Sequence, residues 1–350
     1  MTLGYSQIET PLNGFTPIVG VFGLSWIMLI CSALIVYMIC NGKSAIKFSL
    51  AALFVIFGAG ALLGSVEWTE PTGKPLKVSL LQGNISQDKK WLAEERRPTI
   101  EWYARLTREN WSSDLIVWPE TALPAFYHQA ERFLEGLQQE AQQNNTDLLL
   151  GLPIMDPNDK RYYNGVLSLG QQQGVYHKQH LVPFGEFIHF KNLLGNILKV
   201  FDVPLPDFSH SENKNRVLNI ANHKIGISIC YEDVFGEEVI IAMPDVDLLV
   251  NVSNDAWFGD SIAPHQHLQI AQMRAVETGR PLLRATNTGV TAIIDHHGKI
   301  QSTIPQFVAQ ALTDTTQPMT GSTPYSIVGN WLIITGIFGL LLYARFGKKH

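Results

Sequence analysis

One cysteine, one lysine and one glutamate, each beside an aliphatic run, could together perform nucleophilic acyl chemistry in this 350-residue chain. Cys230 follows the run IGISI, Glu120 ends the run LIVWPE, and Lys178 stands in the loop YHKQHLVPFGEF. A thiol attacks as its thiolate, so it needs a base and a nearby positive charge. A glutamate supplies the base. A lysine supplies the charge and a donor for the oxyanion that forms when sulfur adds to a carbonyl. Taken singly, Glu120 and Lys178 read as ordinary solvated charges. Their places at the ends of strand-like runs make them a set, because α/β sheets gather reactive groups there.

Cysteine usage sharpens the case. Cys31 and Cys40 lie in a long apolar run, which leaves Cys230 alone in the polar remainder and excludes a disulfide within it. The bland alternative is an inert buried thiol, since free cysteine packs as a small hydrophobe.

The elements that must position these groups alternate. Strand-like runs begin at Lys77, Asp114, Asp147, Asn164, His223, Val246 and Asn287. Helical stretches fall at about 89–110, 130–143, 234–243 and 266–278. The aliphatic runs are too continuous for a half-exposed sheet, which predicts strands covered on at least one face by helices, an α/β layered domain. The apolar segment 184–205, FGEFIHFKNLLGNILKVFDVPL, reads either as a packed loop and helix or as an arm that meets a bilayer surface.

Three uncharged runs, 17–40, 48–66 and 327–344, each have the length that crosses a bilayer. Lys43 and Lys47 sit between the first two, and Arg345, Lys348 and Lys349 follow the third. Basic residues stay on the cytoplasmic side, so the division expected is a membrane segment 1–66, an outer domain 67–325, and a span with a cytoplasmic tail at 326–350. The outer domain holds 21 of the 26 Lys and Arg and 30 of the 31 Asp and Glu, a net charge near −9. Without a basic stripe, a nucleic-acid partner is not expected. His265 and His267 in PHQH point to different helix faces with no third ligand near in sequence, so no metal is expected.

The strings WPETALP, YHKQHLVPFGEF and ICYED, in that order, resemble the Glu, Lys and Cys motifs of the nitrilase superfamily. GNISQDKKW, LVPFGEF, NVSNDAWFGDS and RPLLRATNTGVTAIID are similar to one branch of it, the apolipoprotein N-acyltransferases. The resemblance runs over nearly the whole chain, as a C-terminal portion or shortened form of the longer family pattern, whose further transmembrane helices would precede Tyr5. It implies an αββα sandwich flanked by transmembrane helices, with Glu120 as general base, Cys230 as acylated nucleophile and Lys178 as stabiliser of the oxyanion. It further implies supporting roles for Trp91 in an acyl or lipoprotein pocket, for Glu186 beside Lys178 or the amine acceptor, and for Tyr231 and Glu232 beside the nucleophile. The implied reaction takes an acyl chain from a phospholipid, through a Cys230 thioester, to the N-terminal amine of the lipid-modified cysteine of an apolipoprotein. That places the enzyme in a bacterial inner membrane with its catalytic domain periplasmic. An ester-to-thioester-to-amide route runs downhill, so no cofactor is implied. A membrane-tethered amidase or nitrile hydrolase using the same triad is the alternative.

Overall fold

The computed structural model describes residues 2–156, 160–183, 186 and 208–347. Among the described residues, fourteen strands, from β1(Thr69–Pro71) to β14(Met319–Gly321), and eight α-helices are numbered in chain order. Two six-stranded sheets form the centre. One has the order β13(Gln310–Thr316)–β2(Leu76–Gln82)–β3(Leu115–Val117)–β4(Asp147–Met155)–β5(Tyr162–Leu169)–β6(Gly174–His177). The other has the order β12(Ile300–Ile304)–β11(Thr291–Ile294)–β10(Leu282–Thr286)–β9(Leu248–Ser253)–β8(His223–Ile229)–β7(Val217–Ile220). The strands β2, β3 and β4 run parallel, as do β8, β9 and β10; the outer pairs are antiparallel.

Side-chain alternation explains why these sheets stack. In β3, Leu115 and Val117 enter the core between the sheets while Ile116 enters the core beneath helices α3(Ala93–Glu109) and α4(Tyr127–Asn144). In β9, Leu248, Val250 and Val252 face the central core while Leu249 joins the core against α6(Ala263–Thr278). Strands buried on both faces have no polar side to alternate with, hence the continuous aliphatic runs. The result is helix, sheet, sheet, helix: the αββα sandwich. Expected strands and helices appear, with two differences. The stretch expected to be helical at 234–243 forms only a one-turn helix, α5(Gly236–Val239), and a 3₁₀ turn, Ile240–Ala242. The run beginning at Asn287 becomes a strand only from Thr291.

Helices α1(Thr16–Cys40) and α2(Gly42–Leu63) precede the sandwich, and both are long and apolar enough to cross a membrane. Much of their apolar surface faces outward, Ile39 at 74% and Phe54 at 80% exposure, although Val21 and Leu24 are buried. Such a surface is stable only in lipid or against a partner. The second helix starts at Gly42 rather than at 48 and ends at 63 rather than 66, because Lys43 and Lys47 end an uncharged run without ending a helix. The third expected span is divided. Gly329, at φ +56°, separates α7(Pro324–Val328) from α8(Trp331–Phe346), which buries no residue. At 16 residues α8 is about 24 Å long, short of the ~30 Å hydrocarbon core. The apolar segment 184–205 lies, except for Glu186, outside the described residues.

The first helix is locked to the sandwich where its backbone breaks. Gly20 adopts φ 61°, and a Cβ there would fall 2.3 Å from the Tyr325 ring. The N–H of Val21, left without a helical partner by this break, donates to Glu277 Oε1 at 2.8 Å. Glu277 is wholly buried on α6 and paired with Arg274 at 2.9 Å. A carboxylate from the sandwich thus caps the helix, where a negative charge suits the macrodipole.

Candidate active site

Each reactive side chain leaves the end of a strand. After β3 the chain turns at Trp118–Pro119 and delivers Glu120, 6% exposed. The turn packs directly on β4: a Cβ on Gly151 would lie 2.3 Å from the Pro119 carbonyl oxygen, so only glycine fits. After β6, Lys178 is tied by its own N–H to the Asn164 carbonyl at 2.8 Å. After β8, Cys230 opens a 3₁₀ turn in the left-handed region, φ 52°, a strained backbone for a residue with a Cβ.

The three meet in one cavity of about 320 Å³, whose lining also includes Trp91, Glu186, Asn164 and the exposed aromatics Trp257 and Phe258. Lys178 Nζ, 1% exposed, lies 3.3 Å from Glu120 Oε1 and 2.9 Å from Glu186 Oε1. Asn164 bridges the same two carboxylates, its Nδ2 donating to Glu120 at 2.7 Å and to Glu186 at 2.8 Å. Glu186 Oε2 in turn accepts from Val182 N–H at 2.9 Å. Burial disfavours the Lys178 ammonium, but the charges of Glu120 and Glu186 and the hydrogen bond to Glu186 outweigh it and hold the group well above its usual range. For Cys230, burial pushes the thiol well up and Glu120 adds to the effect, while Lys178 pulls the other way. The thiol is therefore not ionised in advance, and its proton must leave during attack, towards a base.

Two networks hold the nucleophile turn. Glu232, fully buried, accepts from Ile229 N–H at 2.8 Å, Gln179 N–H at 2.7 Å, His180 N–H at 3.1 Å and Tyr176 Oη–H at 2.9 Å. It fastens the Lys178 loop to the Cys230 turn. Behind the turn, the Cys230 carbonyl accepts from Asn251 Nδ2 at 3.2 Å and lies 3.3 Å from His267 Nε2. His267 sits between Asp255 at 2.9 Å and Asp233 at 3.0 Å, and Arg284 meets Asp255 at 2.8 Å. Burial and Arg284 lower the His267 pKa, but the two aspartates prevail and lift it to about 9. Cys230, Asp255 and His267 offer ligand atoms within 4.8 Å of one another, but both nitrogens of the doubly bonded imidazolium are committed as donors. Glu67, His296 and His297 form a second such group in and near the linker after α2, where a metal could sit.

The positions singled out in the sequence thus divide. Glu120, Lys178, Cys230, Glu186 and Trp91 come together around the cavity, while Glu232 braces it from behind. Tyr231 packs on Phe235, ring centres 5.1 Å apart, and on His180 at 5.8 Å. Asn164 and His267 were missed as site residues. Asn164 had a local signal: a polar residue heading the aliphatic strand NGVLSLG.

An αββα sandwich with a Glu–Lys–Cys cluster at its strand ends defines a carbon-nitrogen hydrolase domain, and that family's model matches residues 77–325. Solved structures agree on the fold: a carbon-nitrogen hydrolase from Helicobacter pylori G27 aligns at TM-score 0.53 and 14% identity over 69% of this chain and 89% of its own. The C. elegans NitFhit protein aligns at TM-score 0.55 and 14% identity over 77% of this chain and 65% of its own. Sequence relatives narrow the class. The apolipoprotein N-acyltransferase of Methylococcus capsulatus is 45% identical over 99% of this chain, and that of Nitrosomonas europaea 46% identical over 98%. The chain belongs to the apolipoprotein N-acyltransferase family, spanning 69% of the length of each of these two relatives.

The raised thiol makes a pH prediction. With Cys31 and Cys40 replaced by alanine, alkylation of Cys230 by iodoacetamide should still be climbing with pH at 9, the ordinary thiol value. A plateau reached by pH 7 would contradict a thiol held neutral by burial.

Proposed function

We propose that the cavity carries out acyl transfer from a phospholipid to an apolipoprotein, with Glu120, Lys178 and Cys230 as the catalytic set. The observation that carries this reading is the Lys178 ammonium held between two carboxylates in the cavity that Cys230 lines. Glu120 takes the thiol proton as Cys230 sulfur adds to the ester carbonyl. Lys178 stabilises the oxyanion of the tetrahedral adduct. Collapse breaks the ester C–O bond, the proton returns from Glu120 to the leaving alkoxide, and lysophospholipid departs from an acyl-thioester. The α-amine of the diacylglyceryl cysteine then attacks the thioester, Glu120 receives its proton, and the Cys230 thiolate leaves and is reprotonated. Glu186 and Asn164 hold Lys178 and Glu120 in register throughout. Trp91, Trp257 and Phe258 offer apolar surface to an acyl chain.

The enzyme is a membrane protein of an acyltransferase family, and helices α1, α2 and the apolar α7–α8 pair support the reading of segments 1–66 and 326–350 as its anchor. The bacterial inner membrane suits this anchor. The basic loop at Lys43 and Lys47 and the basic tail favour a periplasmic catalytic domain 67–325. The hydrolase alternative is not favoured, since the relatives of nearly full coverage bear an acyltransferase name.

In vesicles containing phospholipid and a diacylglyceryl-cysteine peptide with a free amine, the protein should form N-acyl peptide with ping-pong kinetics. Glu120→Gln should slow this by ~10²–10⁴-fold, the share of a positioned base. Lys178→Met should cost ~10²–10³-fold, like the loss of an oxyanion donor. Free fatty acid in place of N-acyl peptide would make the protein a hydrolase. For orientation, a thiol introduced near Gly170 in the cysteine-free Cys230→Ala background should react with an impermeant maleimide in cells with an intact inner membrane. Protection there, with labelling of a thiol introduced instead after Lys349, would reverse the topology.

A further inference from the structure

A second buried lysine stands at the edge of this site without a role in the steps above. Lys90, in the turn before Trp91, is 3% exposed. Its Nζ donates to the hydroxyl of Thr121 and, at 3.3 Å, to the backbone carbonyl of Glu120. Both acceptors are neutral oxygens, and among the described residues no carboxylate forms an ion pair with it. Lysine is almost never buried so deeply without a counter-charge. Burial drives its ammonium down to about 8, against the opposing pull of Glu120.

The charges around the cavity suggest what offsets that cost. Glu120 and Glu186 bring two carboxylates, and Lys178 brings one ammonium. The remaining negative charge opposes both a thiolate on Cys230 and the oxyanion that follows. Lys90 approaches from behind the Glu120–Thr121 turn, whose Thr121 is held at φ 46°, and its field reaches both Glu120 and Cys230. The titratable groups within reach of its charge are Glu120 after β3 and Cys230 after β8.

We propose that Lys90 is an electrostatic positioning residue for acyl transfer, its ammonium balancing the second carboxylate of the site so that the Cys230 thiolate and the ester oxyanion can form. The proposal rests on the reading of Cys230 as the nucleophile. It differs from a purely structural role, in which Lys90 serves only to pin the Glu120–Thr121 turn by hydrogen bonds.

The test compares Lys90→Met, Lys90→Gln and Lys90→Arg in the full chain with Cys31 and Cys40 replaced by alanine. Gln keeps a hydrogen-bond donor without charge, and Arg keeps the charge. The first readout is iodoacetamide alkylation of Cys230 against pH, followed by peptide mass. Met and Gln should both lower the rate at pH 7 by ~10-fold and move the profile up by about one unit, while Arg should stay within about threefold of the parent. Misfolding cannot mimic this, because unfolding frees a thiol from burial and speeds alkylation. The second readout, N-acylation of the peptide, should fall ~10–10²-fold for Met and Gln, with Arg restoring most of it. Parental alkylation and acylation in Lys90→Gln would overturn the proposal and leave Lys90 a structural pin. The alkylation arm needs no phospholipid, so failure of the parent to acylate peptide would sink the transferase reading separately, while a persisting alkylation shift would still support the charge role of Lys90.

Discussion

The buried ammonium of Lys178 is the interaction on which the rest of the site depends. A lysine 1% exposed would shed its proton unless opposite charge met it at close range. Glu120 and Glu186 meet it from the two sides, and Asn164 spans both carboxylates so that neither can swing away. Breaking such a pair by removing one partner costs about 3–5 kcal/mol, because a lone charge is left buried. The same proximity has a chemical consequence. Glu120 cannot leave the lysine, yet in the proposed reaction it accepts a proton from sulfur, so acid–base work and charge stabilisation would share one cluster.

Positioning of the nucleophile is a separate problem, and two buried networks address it. The strained φ of Cys230 persists because its carbonyl is held by Asn251 and approached by His267, while Glu232 gathers four donors from the nucleophile turn, the Lys178 loop and Tyr176. Helix α6 carries His267 near its start and Glu277 near its end. One rigid helix therefore touches the nucleophile turn and caps the break in α1 at Val21. Helix α1 and the Cys230 turn are thus fixed to the same element, which gives the site a constant position relative to α1.

Much of this was legible in the chain itself, for a physical reason. Glu120, Lys178 and Cys230 lie where strands end, and strand ends are marked locally by the close of an aliphatic run. The αββα layering was legible through its consequence, strands without polar alternation, although the order of twelve central strands was not. Asn164, Lys90 and His267 escaped because their meaning lies in contacts across the fold: Asn164 meets Glu120 from 44 residues away. The break at Gly20 likewise depends on a carboxylate 256 residues beyond Val21. The third apolar run looked continuous because composition cannot register that Gly329 turns the backbone to positive φ.

The central claim is that Cys230 carries the acyl group, and intact-mass measurement tests it most directly. Protein incubated with phospholipid alone should gain the mass of one acyl chain, mapped to the Cys230 peptide, released by hydroxylamine as a thioester and absent in Cys230→Ala. No acyl mass on Cys230 while peptide is still N-acylated would contradict the account, since the chain would then pass from phospholipid to amine without the covalent intermediate.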